Sequence, residues 1–135
     1  MGVQVTKLRG IPHDLKLDLQ ERGFRNSDQI LAVARTPNER KLLAEQLGIE
    51  SEIVLHLANR ADLARVSGIG GVFADLLEYA GIDTVKELAT RHPNNLHAKL
   101  VEINSEVNLA GRAPTLKAVE SWVMQAKELP KALEY

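Results

Sequence analysis

The chain has no cysteine in its 135 residues. That excludes disulfides, thiolate catalysis, cysteine-ligated zinc and cysteine-held iron–sulfur clusters together. Aromatic residues make up only 4% of the sequence, with a single tryptophan, so a core has to be assembled from Leu, Val, Ile and Ala. Neither sign of charge dominates: 17 Lys and Arg stand against 18 Asp and Glu, a formal charge of −1. A chain this close to neutral has no global field to draw in nucleic acid, and any such contact must be local. No apolar run approaches the roughly 18 residues of a membrane span, and the start lacks a basic-then-apolar signal. We expect no membrane association and a cytoplasmic location. Strand signals are nearly absent too. Val3-Gln4-Val5-Thr6 alternates, but four residues without a partner do not make a sheet.

What is present is helical. The 44% hydrophobic and 26% charged content is that of a globular protein, and the length suits one domain over residues 1–135. The chain is organised around residues 66–89, VSGIGGVFADLLEYAGIDTVKELA. Ser67-Gly68-Ile69-Gly70-Gly71 is too rich in glycine for helix interior, where each glycine costs about 1 kcal/mol relative to alanine. Such a turn joins two helices sharply and leaves amides pointing at the start of the next one, which is anion-binding chemistry. Val72, Phe73, Leu76, Leu77 and Ala80 then recur at helical spacing. Gly81 sits where a left-handed cap is wanted, with Ile82 packing back. Thr84 and Glu87 form a capping box for a further helix carrying Val85, Leu88 and Ala89.

The same punctuation occurs earlier. Gly10 precedes Gly68 by 58 residues, and Gly23 precedes Gly81 by 58. At that offset Leu8 falls on Val66, Ile11 on Ile69, Leu15 on Phe73 and Leu19 on Leu77, so the apolar face repeats with the turns. Turns of the form glycine, spacer, Ser or Thr cap are expected at Gly23 to Ser27, where Asn26 or Ser27 supplies the cap, Gly48 to Ser51, Gly81 to Thr84 and Gly111 to Thr115. Thr36-Pro37-Asn38-Glu39 opens a helix with cap, proline and capping box. It runs through Leu42, Leu43 and Leu47. The helix after the first hairpin should turn Leu15, Leu19 and Leu17 inward. Leu96, Leu100, Val101 and Ile103 should form the inward stripe of a later helix, and Leu116, Val119, Trp122, Val123 and Ala126 that of the last. The tail beyond Pro130 is expected to fray. The fold class is all-α: two tandem, internally repeated units, about 5–60 and 61–129, packed as one pseudo-symmetric domain.

A hydrophobic residue, Gly-hydrophobic-Gly, then Ala and Leu at helical spacing, here Val66, Gly68-Ile69-Gly70, Ala74 and Leu77, resembles the helix-hairpin-helix superfamily. Over residues 59–127 the chain is similar to a bacterial family of unknown function related to that superfamily. The resemblance implies a compact set of tandem helix-hairpin-helix units and no established activity. It also implies that hairpin amides at Gly68, Ile69 and Gly70, with Gly71 nearby and Arg65 as the closest cation, could contact phosphate oxygens. The chain departs from DNA-binding members in two ways. Residues 71–75 contain no Lys or Arg, and Asp75 would repel phosphate. In the first hairpin, Gly10 and Ile11 are followed by Pro12, which has no N–H to donate, although Lys7, Arg9 and Lys16 make that turn the more basic. One hairpin keeps the amides and the other the charge.

Other chemistry is sparse. His92 and His97 are spaced by five, fit no helical pair and have no cysteine partners, so a zinc site is not supported; no cofactor or metal is expected. Ser67 beside Gly68 lacks the flanking glycines and strand of a nucleophile elbow. Gly68-Ile69-Gly70-Gly71 lacks the remainder of a dinucleotide fingerprint. A non-enzymatic binding module remains. Its partner is duplex DNA, held weakly and with salt sensitivity through the hairpins, or else an unidentified protein docked on helical faces. Trp122 could anchor an interface if exposed, but its spacing with Val119, Val123 and Ala126 reads as core.

Overall fold

The computed structural model describes residues 2–135. Among them are eight α-helices: α1 (His13–Glu21), α2 (Ser27–Val33), α3 (Pro37–Leu47), α4 (Ser51–Leu63), α5 (Gly71–Tyr79), α6 (Val85–Ala89), α7 (Pro93–Val107) and α8 (Leu116–Glu128). A 3-10 turn, Val5–Lys7, precedes them. The alternating start does find a partner. Val5 N–H donates to Arg25 O at 2.8 Å and Ser27 N–H to Val3 O at 2.8 Å, yet the pairing amounts to one isolated antiparallel bridge between Gln4 and Asn26. The fold is all-helical.

Side-chain caps start four of the eight helices. Asn26 accepts from Gln29 N–H at 3.0 Å and the Gln29 side chain returns to Asn26 N–H at 3.1 Å. Thr84 accepts from Glu87 N–H at 3.2 Å, Thr36 from Glu39 N–H at 3.1 Å and Thr115 from Ala118 N–H at 3.1 Å. Each such cap contributes about 1 kcal/mol. Of the two candidate caps at the first turn Asn26 is the one used, because Ser27 is buried and accepts from Val3 N–H at 2.9 Å. Two of the other expected turns differ in detail. Ser51 is the first residue of α4, behind Glu50, which makes no capping bond. The left-handed residue closing α7 is Asn108 (φ 52°), so Gly111 is not needed for that purpose.

Packing divides the apolar residues into two clusters. The first gathers Val5, Leu8, Ile11, Leu15, Leu19, Ile30, Leu57 and their neighbours up to Ala61. The second runs from Leu63 through Val66, Ile69, Leu76, Leu77, Leu88 and Leu100 to Trp122 and Ala126. The boundary falls inside α4, a continuous helix that therefore serves both. In the first half α2 and α3 pack on α4; in the second α6 and α7 pack on α8. Each fully buried Leu or Ile contributes about 1.5–3 kcal/mol over an exposed one.

Three of the expected inward positions, Leu17 (44% exposed), Val101 (41%) and Leu116 (37%), face solvent, as does Leu42 (58%). Leu17, Leu42 and Val101 sit one or two residues, hence 100–200°, away from the stripe that is buried: Leu15 and Leu19, Leu43 and Ala44, Leu96 and Leu100. Leu116 shares a face with Val119 and Val123 but is the first residue of α8. The tail also departs from expectation. It is not frayed: Leu133 is 3% exposed and belongs to the first cluster, so the end of the chain crosses from α8 back to the first half.

Candidate functional site

Both hairpins turn on a glycine in the left-handed region, Gly10 at φ 77° and Gly68 at φ 98°, where a side chain is strained. In the second hairpin Val66 and Ile69 are buried, and Ile69 N–H donates to Val66 O at 3.2 Å. The amide proposed at Ile69 is thus already used inside the turn. Gln125 of α8 clamps the hairpin from the side. It accepts from Ser67 N–H at 2.8 Å and donates to Ser67 O at 3.2 Å. Trp122 lies beneath, 2% exposed, with its ring centroid 5.3 Å from Phe73; it is core, as its spacing predicts. The hairpin is exposed at Gly68 and Gly70. Gly70 is the extended residue before α5, and among the described residues its amide and that of Gly71 donate to no acceptor in the chain. First-turn amides are free in this way at any helix start that lacks a capping side chain.

The two hairpins touch. A Cβ added to Gly71 would stand 2.5 Å from the Lys7 carbonyl oxygen and 2.8 Å from Arg9 Cγ, so only glycine permits this approach. The start of α5, with its free amides, therefore packs against the Lys7 backbone and the Arg9 side chain. Lys7 is exposed, and Lys16 Nζ reaches Thr6 O at 3.3 Å. Ile11 is buried under its turn and serves packing.

The arginines are not free. Arg9 Nε lies 2.6 Å from Asp75 Oδ2. Asp75 also holds Arg60, whose Nη1 is 2.6 Å from Oδ1 and whose other nitrogen pairs with Glu78. Asp75, which the sequence suggests would repel phosphate, is thus engaged by two guanidinium groups. Arg65 donates to Asp62 Oδ1 at 2.8 and 3.0 Å and to Pro130 O at 2.7 Å. Asp62, itself 4% exposed, accepts with its other oxygen from Val85 N–H at 3.0 Å, at the start of α6. These bonds offset the cost of burying a carboxylate. An open cleft of about 870 Å³ lies between the first hairpin, α4 and α5, lined by Arg9, Gly10, His56, Arg60, Asp75 and Glu78 among others.

Sequence reasoning missed Arg60, Asp62 and Gln125. A signal existed for the first two: Arg60 follows Leu57 by three and Asp62 follows Ala58 by four, placing both charges on the buried side of α4. His13, His56, His92 and His97 take part in no group of three or more potential metal ligands among the described residues. No described helix is long and apolar enough to cross a membrane.

No curated protein and no solved structure matches the chain. Residues 9–129 match the model of a family described as a domain of unknown function (DUF4332), and the chain belongs to that family.

Proposed function

We propose that the protein is a non-catalytic binding module of helix-hairpin-helix type, built from a duplicated unit, that grips the backbone of duplex nucleic acid weakly and without reading its sequence. Support for the duplication comes from bonds that recur at an offset of 58. Phe24 N–H to Leu19 O (2.8 Å) recurs as Ile82 N–H to Leu77 O (2.9 Å), and Lys16 N–H to Pro12 O (3.1 Å) as Ala74 N–H to Gly70 O (3.0 Å). The caps Asn26 and Thr84 stand at the same offset.

The observation that carries the nucleic-acid reading is the packing of Gly71 against Lys7 and Arg9. It sets the unpaired amides of one hairpin against the segment of the other that carries Lys7 and Arg9, and a phosphate oxygen suits amides with a lysine nearby. Binding would be weak because Arg9 and Arg65 already face carboxylates. The test uses Gly70→Glu and Lys7→Glu. Nothing lies within 4 Å of a Cβ at Gly70, so the fold tolerates the new charge, whereas Gly68→Glu would break the hairpin itself. Duplex DNA should be retained at low salt, lost as salt rises, and lost in both variants.

Neutralisation of Arg9 and Arg65 favours a second reading, a protein partner on the hairpin face. No retention of duplex DNA at about 20 mM salt, a condition that exaggerates weak electrostatic contacts, would reject the first reading and leave the second.

A further inference from the structure

The last six residues leave α8 at Leu129, whose backbone is extended, and Pro130 cannot continue the helix. They settle in a cleft formed by the ends of α2, α3 and α4. Leu133 fills an apolar hole in the first core. Glu134 N–H donates to Arg35 O at 2.8 Å, so the tail's backbone is held as a strand would be. Arg40, 5% exposed, donates to Ala34 O and Arg35 O at 3.0 Å each, and to Glu134 O at 2.6 Å. One guanidinium thereby caps the C-terminal end of α2 and grips the tail. Tyr135 places its ring 5.6 Å from the Arg40 guanidinium carbon and donates from its hydroxyl to Asn59 Oδ1 at 2.7 Å.

These contacts have the composition of a peptide site: backbone bonds that read no sequence, one pocket for an aliphatic side chain, and one aromatic position with a polar tip. The second half also touches the segment: Arg65 donates to Pro130 O at 2.7 Å, and Thr84, Lys86 and Thr90 stand beside Tyr135. We propose that the cleft is a receptor for an extended Leu-x-Tyr segment, filled in cis by the chain's own tail and able to take the tail of a second copy in its place. The second copy is the occupant to which the cleft is already fitted, because its tail carries the same Leu133, Glu134 and Tyr135. Cis occupancy lowers the apparent affinity for any incoming tail by the fraction of time the cleft is empty.

The probe is a fluorescent peptide of residues 130–135, titrated into the full chain and into full-length Leu133→Asp, with circular dichroism as the check of folding. The Leu133→Asp chain should bind the peptide saturably and at least about tenfold more tightly than the wild type. A peptide carrying the Leu133→Asp change should not bind. Should Leu133→Asp fail to fold, Leu133→Ala replaces it, with the same order of affinities expected. A folded variant that binds no peptide, or binds it no better than the wild type does, overturns the proposal. Amide exchange gives an independent readout: Glu134 should exchange faster than the core amides of α4, by local release of the tail. Exchange of Glu134 only at the rate of global unfolding would show that the tail never leaves, and would overturn it as well.

Discussion

At Gly68 an added Cβ would stand 2.9 Å from Trp122 Nε1; at Gly10 it would stand 2.6 Å from His56 Nε2. The distances are similar and the consequences are not. Trp122 is buried and wedged beside Phe73, whereas His56 is half-buried and meets the first hairpin with the tip of a side chain that lines an open cleft. The second hairpin is also clamped by Gln125, while the first leans on the start of α5 through Arg9 and Asp75. Two turns of the same backbone kind are therefore held differently, one by its own core and the other by its neighbour. The chemistry divides accordingly: the rigid hairpin offers amides, and the leaning one offers cations.

The comparison is tested most strongly at its roots. Leu19 and Leu77 close the helices after the two hairpins, and both are fully buried in separate clusters. Leu77→Ala and Leu19→Ala should each cost about 3 kcal/mol in denaturant unfolding. Because α4 runs through both clusters and Arg60 ties it to α5, both variants should lower one shared transition. Two separated transitions in either variant would show that the halves fold independently.

Next come the hairpin glycines. Gly68→Ala should cost about 2–3 kcal/mol, combining left-handed strain with an overpacked indole. Gly10→Ala should cost about 1–2 kcal/mol, chiefly strain, since the His56 ring can swing away. Equal costs at the two positions would remove the distinction between a core-held and a neighbour-held turn. Caps give a smaller effect of about 1 kcal/mol each for Asn26→Ala and Thr84→Ala.

The hairpins and most caps were legible because they are local chemistry: a left-handed turn calls for glycine, and a free first turn calls for Asn or Thr. Gly23, Gly48 and Gly81 all take positive φ, as their places after apolar stripes suggest. The charge balance at the hairpins was not legible. That Asp75 meets Arg9 depends on how two distant segments pack, and spacing along the chain says nothing of it. Gln125 reads as a surface residue of α8 until the hairpin lies beside it. The tail was misread for a related reason. Pro130-Lys131-Ala132-Leu133-Glu134-Tyr135 has no periodicity, and its order comes from distant residues, chiefly Arg40, Arg35 and Asn59 of the first half with Arg65 at Pro130. Composition assigns such a segment to fraying; only a receiving surface says otherwise.

For that receiving surface pH gives the smallest and most specific test. Burial pushes the Tyr135 hydroxyl up to about 12, with the nearby Asp62 carboxylate adding to the shift and Arg40 opposing it. The raised value means that the folded chain holds this proton more tightly than the unfolded chain, where a tyrosine titrates near 10. The neutral hydroxyl's contribution is therefore complete below pH 10 and declines as pH rises from about 10 towards 12. The informative quantity is the stability of the wild type minus that of Tyr135→Phe, in which every other group is common to both chains. That difference should be flat from pH 7 to about 10 and fall above it. A flat difference through pH 12 would mean that the hydroxyl is as free as in the unfolded chain, and that the bond to Asn59 does not hold the tail in place.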